Sequence, residues 1–480
     1  MPWSTIFFWF YVLSLIVIAL RVLSREYLAP VKRLAWLMVL FILPIAGMVL
    51  YFLFGEARLN RFSDTKHTEL SEKLHALEIR SGGDDKALRS HVDKAYRGAF
   101  RYAQSINGFG VTLGNKAELL PDGEAARTRL IDDLDAAKSQ IHVLYYIWLK
   151  DETGTKTVEA LIRAAKRGVE CKVMADALGS RKLIRSKLWK EMKEAGVEVS
   201  SALPYINIIK TVLLSRFDLR NHRKITVIDG KITYCGSQNC ADEAFLPKKR
   251  YAPWVDIMLR FEGPIVAQNS LLFASDWLIH NDETEIDIFD HDVKGLEGGF
   301  PAQVWGSGPT DRVGATSQLF TTLIGTAQKE LTISTPYFVP EETVLGALYS
   351  AAHRGIKVRM IFPARNDSFI VRAASQSYYR ELLDAGVDIY EFEGGLLHSK
   401  TITIDGKISM VGSTNIDLRS FDLNYENNIL FQNTILTKAV RDRQETYINA
   451  SRKVSLEQVR KWSLPKRIWN NMIAALGPVL

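Results

Sequence analysis

A chain of 480 residues with a formal net charge of +7 and a pI near 9.0 is too long for one ordinary core, so two or more packed units are expected. With 47% hydrophobic and 24% charged residues the composition excludes a disordered chain, and the positive balance suits an anionic partner: a phospholipid headgroup, a bilayer surface or a nucleic acid. The cysteines, Cys171, Cys235 and Cys240, lack the spacing with histidine that a zinc site needs and read as buried thiols rather than a Cys235–Cys240 disulfide.

Taken in chain order, the first feature is apolar. Residues 1–56 read as a transmembrane hairpin, with spans of about 3–20 and 34–54, each long enough for a hydrocarbon core of roughly 30 Å. No basic leader precedes the first run, as a cleaved signal peptide would require. Arg21, Arg25, Lys32 and Arg33 in the connection face Arg58, Arg61 and Lys66 beyond the second span, so both sides are basic and the lean toward a cytoplasmic connection is slight. Residues 57–115 are polar, broken by glycines at 82 and 83, and read as a helical or loose spacer.

From there on the sequence repeats itself. Ala136–Ile147 matches Thr326–Tyr337, a helix end running into an apolar strand. Ala164-Ala-Lys-Arg-Gly168 matches Ala351-Ala-His-Arg-Gly355, each with glycine where a helix wants a left-handed cap. Glu194-Ala-Gly-Val matches Asp384-Ala-Gly-Val, and Asn221–Ile232 matches Leu397–Ile408. Alternating helices and strands give an α/β fold: two half-domains, 116–295 and 296–452, each a mixed sheet flanked by helices, related by a pseudo-twofold. Asp229-Gly-Lys and Asp405-Gly-Lys carry hairpin-turn chemistry. The first half has extra apolar residues between Leu203 and Arg220, read either as a flap or as another buried helix, and 453–480 is a basic, apolar tail suited to a membrane interface.

The repeat carries the chemistry. His222 and Lys224, like His398 and Lys400, stand two apart on an expected strand and so share a face. After each hairpin comes Gly-Ser-x-Asn, ending in Asn239 and Asn415, whose amides can donate toward the same spot. A lone histidine on an apolar strand, as at His142 or His280, is usually structural; the same set repeated at the same spacing is not coincidence. A phosphodiester needs one group to attack phosphorus and another to protonate the departing alkoxide, and two histidines supply both near neutral pH. Lys224, Lys400, Asn239 and Asn415 would meet charge on the phosphoryl oxygens, so neither metal nor cofactor is required. Asp256 and Glu426 begin the apolar strand after each motif and are candidates for fixing the histidine tautomers.

His222-Arg-Lys224-Ile-Thr-Val-Ile-Asp229 and His398-Ser-Lys400-Thr-Ile-Thr-Ile-Asp405 resemble the paired signature of the phospholipase D superfamily over about residues 116–452, and the N-terminal hairpin, Tyr337-Phe-Val-Pro340 and the basic tail resemble bacterial cardiolipin synthases. The resemblance implies a phosphohistidine on His222, with His398 as general acid and then base, and Asp229 and Asp405 completing the catalytic signature by organising the motif. It implies reversible phosphatidyl transfer between two phosphatidylglycerol molecules, giving cardiolipin and glycerol, in a multi-pass protein of the bacterial plasma membrane with no nucleic acid partner. Cys240 departs from the hydrophobic residue the pattern favours. A membrane hydrolase or other phosphatidyltransferase, and a non-enzymatic binder of anionic lipids, stay open as alternatives, because fold and signature set the chemistry but not the acceptor.

Overall fold

The computed structural model describes residues 2–26, 28–55, 85–203, 218–281 and 294–475. Trp3–Ser24 is one apolar, mostly exposed helix of 22 residues, about 33 Å long at 1.5 Å per residue and so able to cross a hydrocarbon core. The second apolar run is not the continuous span expected over 34–54. It is broken into Pro30–Ile42 and Pro44–Phe54, of 13 and 11 residues, each too short to cross alone. Pro44 is the cause: its ring disfavours a helical conformation in the residue before it, and Leu43 leaves the helix at φ −127°, ψ 67°. The bend brings Gly47 against Val39, where a Cβ would lie 2.8 Å from the carbonyl oxygen. Trp36 and Tyr51 meet edge to face at 5.2 Å within it.

The region read as a spacer is not one throughout. Helix Arg97–Asn107 follows Tyr96, and Tyr96, Ala99, Phe100 and Ala103, one face of a helix, are buried in the core under the second half.

The strands in chain order are β1 (Thr112–Leu119), β2 (Gln140–Tyr145), β3 (Glu170–Asp176), β4 (Glu198–Ala202), β5 (Arg220–Asn221), β6 (Lys224–Ile228), β7 (Ile232–Gly236), β8 (Trp254–Val255), β9 (Met258–Glu262) and β10 (Phe300–Ser307). There follow β11 (Glu330–Ser334), β12 (Phe338–Val339), β13 (Lys357–Pro363), β14 (Asp388–Phe392), β15 (Leu396–Leu397), β16 (Thr401–Ile404), β17 (Ile408–Gly412), β18 (Ile416–Asp417), β19 (Asn424–Gln432) and β20 (Ser451–Val454). Outward from the antiparallel β1–β10 seam, the first half runs β1-β9-β7-β6-β2-β3-β4 and the second β10-β19-β17-β16-β11-β13-β14, with β20 added at the edge. The two orders correspond strand for strand, giving one mixed α/β sheet flanked by helices. Within the two half-sheets β2-β3-β4 and β11-β13-β14 pair in parallel, and between them run crossover helices such as Glu152–Lys166 and Glu342–His353; three two-residue ladders, β5–β19, β8–β15 and β12–β18, are parallel too.

Both hairpin turns are as the sequence reads. Asp229 and Gly230, and again Asp405 and Gly406, take positive φ, the pattern whose twist suits a two-residue β-hairpin. The insertion after Leu203 lies, over 204–217, outside the described residues. All three cysteines are free and buried. His142 is buried against Phe273 at 4.7 Å, and His280 bonds the Asp276 carbonyl at 2.7 Å, both structural roles.

Candidate active site

His222 and His398 do not lie on the strands of their motifs but in the extended links just before them, β5 to β6 and β15 to β16. What positions them is a pair of short ladders that cross between the halves. β5 pairs in parallel with β19 of the second half, and the His222 amide donates to the Tyr425 carbonyl at 2.9 Å. β15 pairs in parallel with β8 of the first half, and the His398 amide donates to the Val255 carbonyl at 2.8 Å. Each histidine therefore faces a carboxylate from the opposite half. His222 Nδ1 lies 2.9 and 3.0 Å from the Glu426 oxygens, and His398 Nδ1 lies 2.6 Å from Asp256 Oδ1. An ionised carboxylate only accepts, so each Nδ1 carries the hydrogen and each Nε2 is left to react.

Both carboxylates are themselves held. Ser413 donates to Glu426, and Ser237 donates to Asp256 at 2.6 Å. These are the serines of the two Gly-Ser-x-Asn elements, where sequence reasoning took only the asparagines; their identical offset from each histidine was the available signal. Asn239 accepts from the Ile147 amide at 3.3 Å, leaving its buried Nδ2 without a hydrogen-bond partner among the described residues. Asn415 differs: its Nδ2 donates to Ser420 at 3.2 Å and its Oδ1 is the atom left over. Two aromatic rings flank the pair, Tyr146 at 4.8 Å from His222 and Trp254 at 4.7 Å from His398, neither singled out from sequence.

Lys224 and Lys400 each donate to the carbonyl of their own histidine at 2.7 Å. Burial pushes Lys224 down to about 8 and Lys400 to about 7. Burial also lowers His222 to about 4, against the pull of Glu426, and Lys224 and Lys400 push the same way. His398 is lowered too, by burial and by Lys400, with Asp256 opposing. Burial disfavours the Asp256 carboxylate, but His398, Lys400 and Ser237 outweigh it and hold the group at about 2. Lys400 acts on His222 and Lys224 on His398, so the two motifs share one electrostatic site.

Asp229 and Asp405, grouped from sequence with the catalytic set, are elsewhere. Each sits in a hairpin turn beyond the far end of β6 or β16. The Asp229 carboxylate accepts the amides of Lys138, Ser139 and Gln140 at 2.9, 2.7 and 3.1 Å; Asp405 accepts those of Gln328, Lys329 and Glu330 and the Tyr96 hydroxyl. They pin the chain as it enters β2 and β11, a structural role, and touch neither histidine.

A family model described as "Cardiolipin synthase, PLD-like domain" matches residues 130–277 and 320–447, which hold every site residue named above except the Asp405-bound Tyr96. The chain is 34% identical to cardiolipin synthase A of Proteus mirabilis over 100% of its own length and 99% of the relative's. The chain belongs to the cardiolipin synthase family. A second relative of the family, cardiolipin synthase A of Wigglesworthia glossinidia brevipalpis, is 34% identical over 96% of this chain and 94% of its own. Residues 8–56 match a further model, "Phospholipase_D-nuclease N-terminal". Among solved structures, a phosphatidylserine synthase of Haemophilus influenzae superposes with a TM-score of 0.59 at 16% identity, over 80% of this chain and all of that one, a likeness of fold. As a member of the cardiolipin synthase family the chain is a phosphatidyltransferase that acts on phospholipids, and its apolar N-terminal helix marks it as membrane-associated.

Proposed function

We propose that His222 and His398 carry the cardiolipin synthase reaction on phosphatidylglycerol, with the exchanged carboxylates Glu426 and Asp256 setting their roles. The observation behind this is the crosswise pairing itself, which commits each Nδ1 to a carboxylate of the opposite half and so keeps each Nε2 for the reaction. His222, lowered to about 4, is neutral and nucleophilic at ordinary pH. His398, in the shorter contact with its carboxylate, is the better placed to hold a second proton as general acid. His222 Nε2 forms a bond to phosphorus; the bond from phosphorus to the glycerol oxygen breaks, and that oxygen takes the proton of His398. The terminal hydroxyl of a second phosphatidylglycerol then gives its proton to His398 and attacks phosphorus, freeing His222 and yielding cardiolipin. Lys224, Lys400 and the spare Nδ2 of Asn239 meet charge on the phosphoryl oxygens. The setting is the bacterial plasma membrane, crossed by Trp3–Ser24, with the bent pair Pro30–Phe54 inserted as a second element behind exposed Phe41, Ile42 and Ile45.

The test is the full chain in phosphatidylglycerol vesicles, assayed for glycerol, cardiolipin and phosphatidic acid. Glycerol and cardiolipin appear together; phosphatidic acid in place of cardiolipin would make the protein a hydrolase. His222→Ala and His398→Ala each abolish product, and activity surviving in either defeats the two-histidine scheme.

A further inference from the structure

Three segments that carry no Asp or Glu meet on one face of the molecule: Leu246–Tyr251, Phe369–Ser377 and Leu464–Ala475. Helices Phe369–Ser377 and Leu464–Ala475 pack together through Ala373, Ala374 and Ile473, and Lys248 pairs with Asp367 just ahead of the first. What they bury is modest; what they expose is apolar. Leu464, Ile468 and Met472, four apart and so on one helical stripe, are 65%, 57% and 48% exposed, and Trp469 on the same helix, Phe369 on the helix packed against it and Leu246 are exposed as well. Lys249, Arg250, Arg372 and Arg467 stand exposed around this patch. An apolar stripe flanked by exposed cations, on segments that carry no carboxylate of their own, is the pattern of a helix lying in the headgroup layer of an anionic bilayer.

The patch is joined to both functional ends of the protein. Leu246 follows Phe245, whose ring stacks on Trp254 at 3.8 Å, and Trp254 leans on His398. Val339 of β12 belongs to the same cluster as Ile473; β12 pairs with β18, which leads into helix Leu418–Asp422, and Asp422 holds Lys32 of the second N-terminal helix at 2.8 Å.

We propose that this face is a second bilayer contact, distinct from the N-terminal helices, that seats in the anionic headgroup layer and holds the rim of the His398 side of the site at the lipid surface. It rests on the lipid-substrate reading above. Since the native cysteines are buried, Trp469→Cys or Ile468→Cys in the full chain can be labelled selectively with an environment-sensitive fluorophore and placed in phosphatidylglycerol vesicles whose acyl chains carry bromine. The label's emission falls by about half or more at both positions, and Ile468→Glu slows cardiolipin formation on vesicles about tenfold while leaving turnover of a short-chain, monomeric phosphatidylglycerol unchanged. Unquenched labels overturn the proposal, as does 469-to-469 crosslinking between two copies in detergent, which would make the face a dimer contact. Quenching without cardiolipin formation defeats the proposed chemistry and leaves the surface standing; cardiolipin made with an unquenched label defeats the surface alone.

Discussion

At the scale of single residues, the site is a balance between burial, which strips charge from His222, Lys224 and Lys400, and two carboxylates that return it selectively. Replacing Asp256 by Asn keeps the shape but removes the charge that favours the His398 imidazolium, so kcat falls about 100-fold with KM little changed. A matching loss in KM instead would make Asp256 a substrate contact. Lys400, lowered to about 7, loses its proton as pH rises through that value, so kcat/KM of the free enzyme falls on the alkaline side. A guanidinium stays charged there, so Lys400→Arg removes the step near 7 from the pH profile of its residual activity while the losses due to His398 and Lys224 remain. The sequence named the histidines, lysines and carboxylates, because each recurs in both repeats or begins a conspicuous strand. It did not say which carboxylate serves which histidine: that pairing depends on the β5–β19 and β15–β8 ladders, made between residues some 140 to 200 positions apart.

At the scale of elements, the hairpin turns were legible, and their aspartates, grouped with the catalytic set as organisers of the motif, do their organising away from the histidines. A signature is read as a unit, yet β6 carries Lys224 at the site end and Asp229 beyond the other. Asp405→Ala removes the acceptor for three backbone amides and the Tyr96 hydroxyl, and is expected to cost about 2 to 3 kcal/mol in thermal unfolding while kcat of the folded protein is unchanged. A fall in kcat at constant stability would restore Asp405 to the mechanism. The break at Pro44 and the buried face of Arg97–Asn107 were both present in the sequence. Composition hid them: an apolar run tolerates proline in a membrane, and the outer face of a short helix, with Arg97 and Arg101, masks the three residues it buries.

At the scale of the whole molecule, the halves are not two domains that touch but one sheet continuous through the β1–β10 seam, with a hydrophobic cluster that draws Leu144 and Val227 from one side and Val411 and Ile429 from the other. Unfolding is therefore expected to be a single transition for both halves: amides of β2 and β11 lose hydrogen-exchange protection at the same denaturant concentration. Separate transitions would mean that the seam is weaker than its strands. The pseudo-twofold was legible because each repeat spans a whole half-sheet; the strand orders were not, since they are set by pairings between strands distant in sequence.

The exchange of carboxylates also bears on how the protein is made. Synthesis delivers the apolar N-terminus first, so a growing chain is at the membrane while most of it is still to come. It carries His222 for some two hundred residues before Glu426 exists, and it has no His398 at all for most of that time. In the proposed mechanism a ribosome-bound or truncated product thus has an unoriented imidazole and no proton donor amid its phospholipid substrates. In the proposed mechanism, competence arrives only when β19 of the second half pairs with β5 of the first, so the phosphoryl chemistry waits until translation is nearly done.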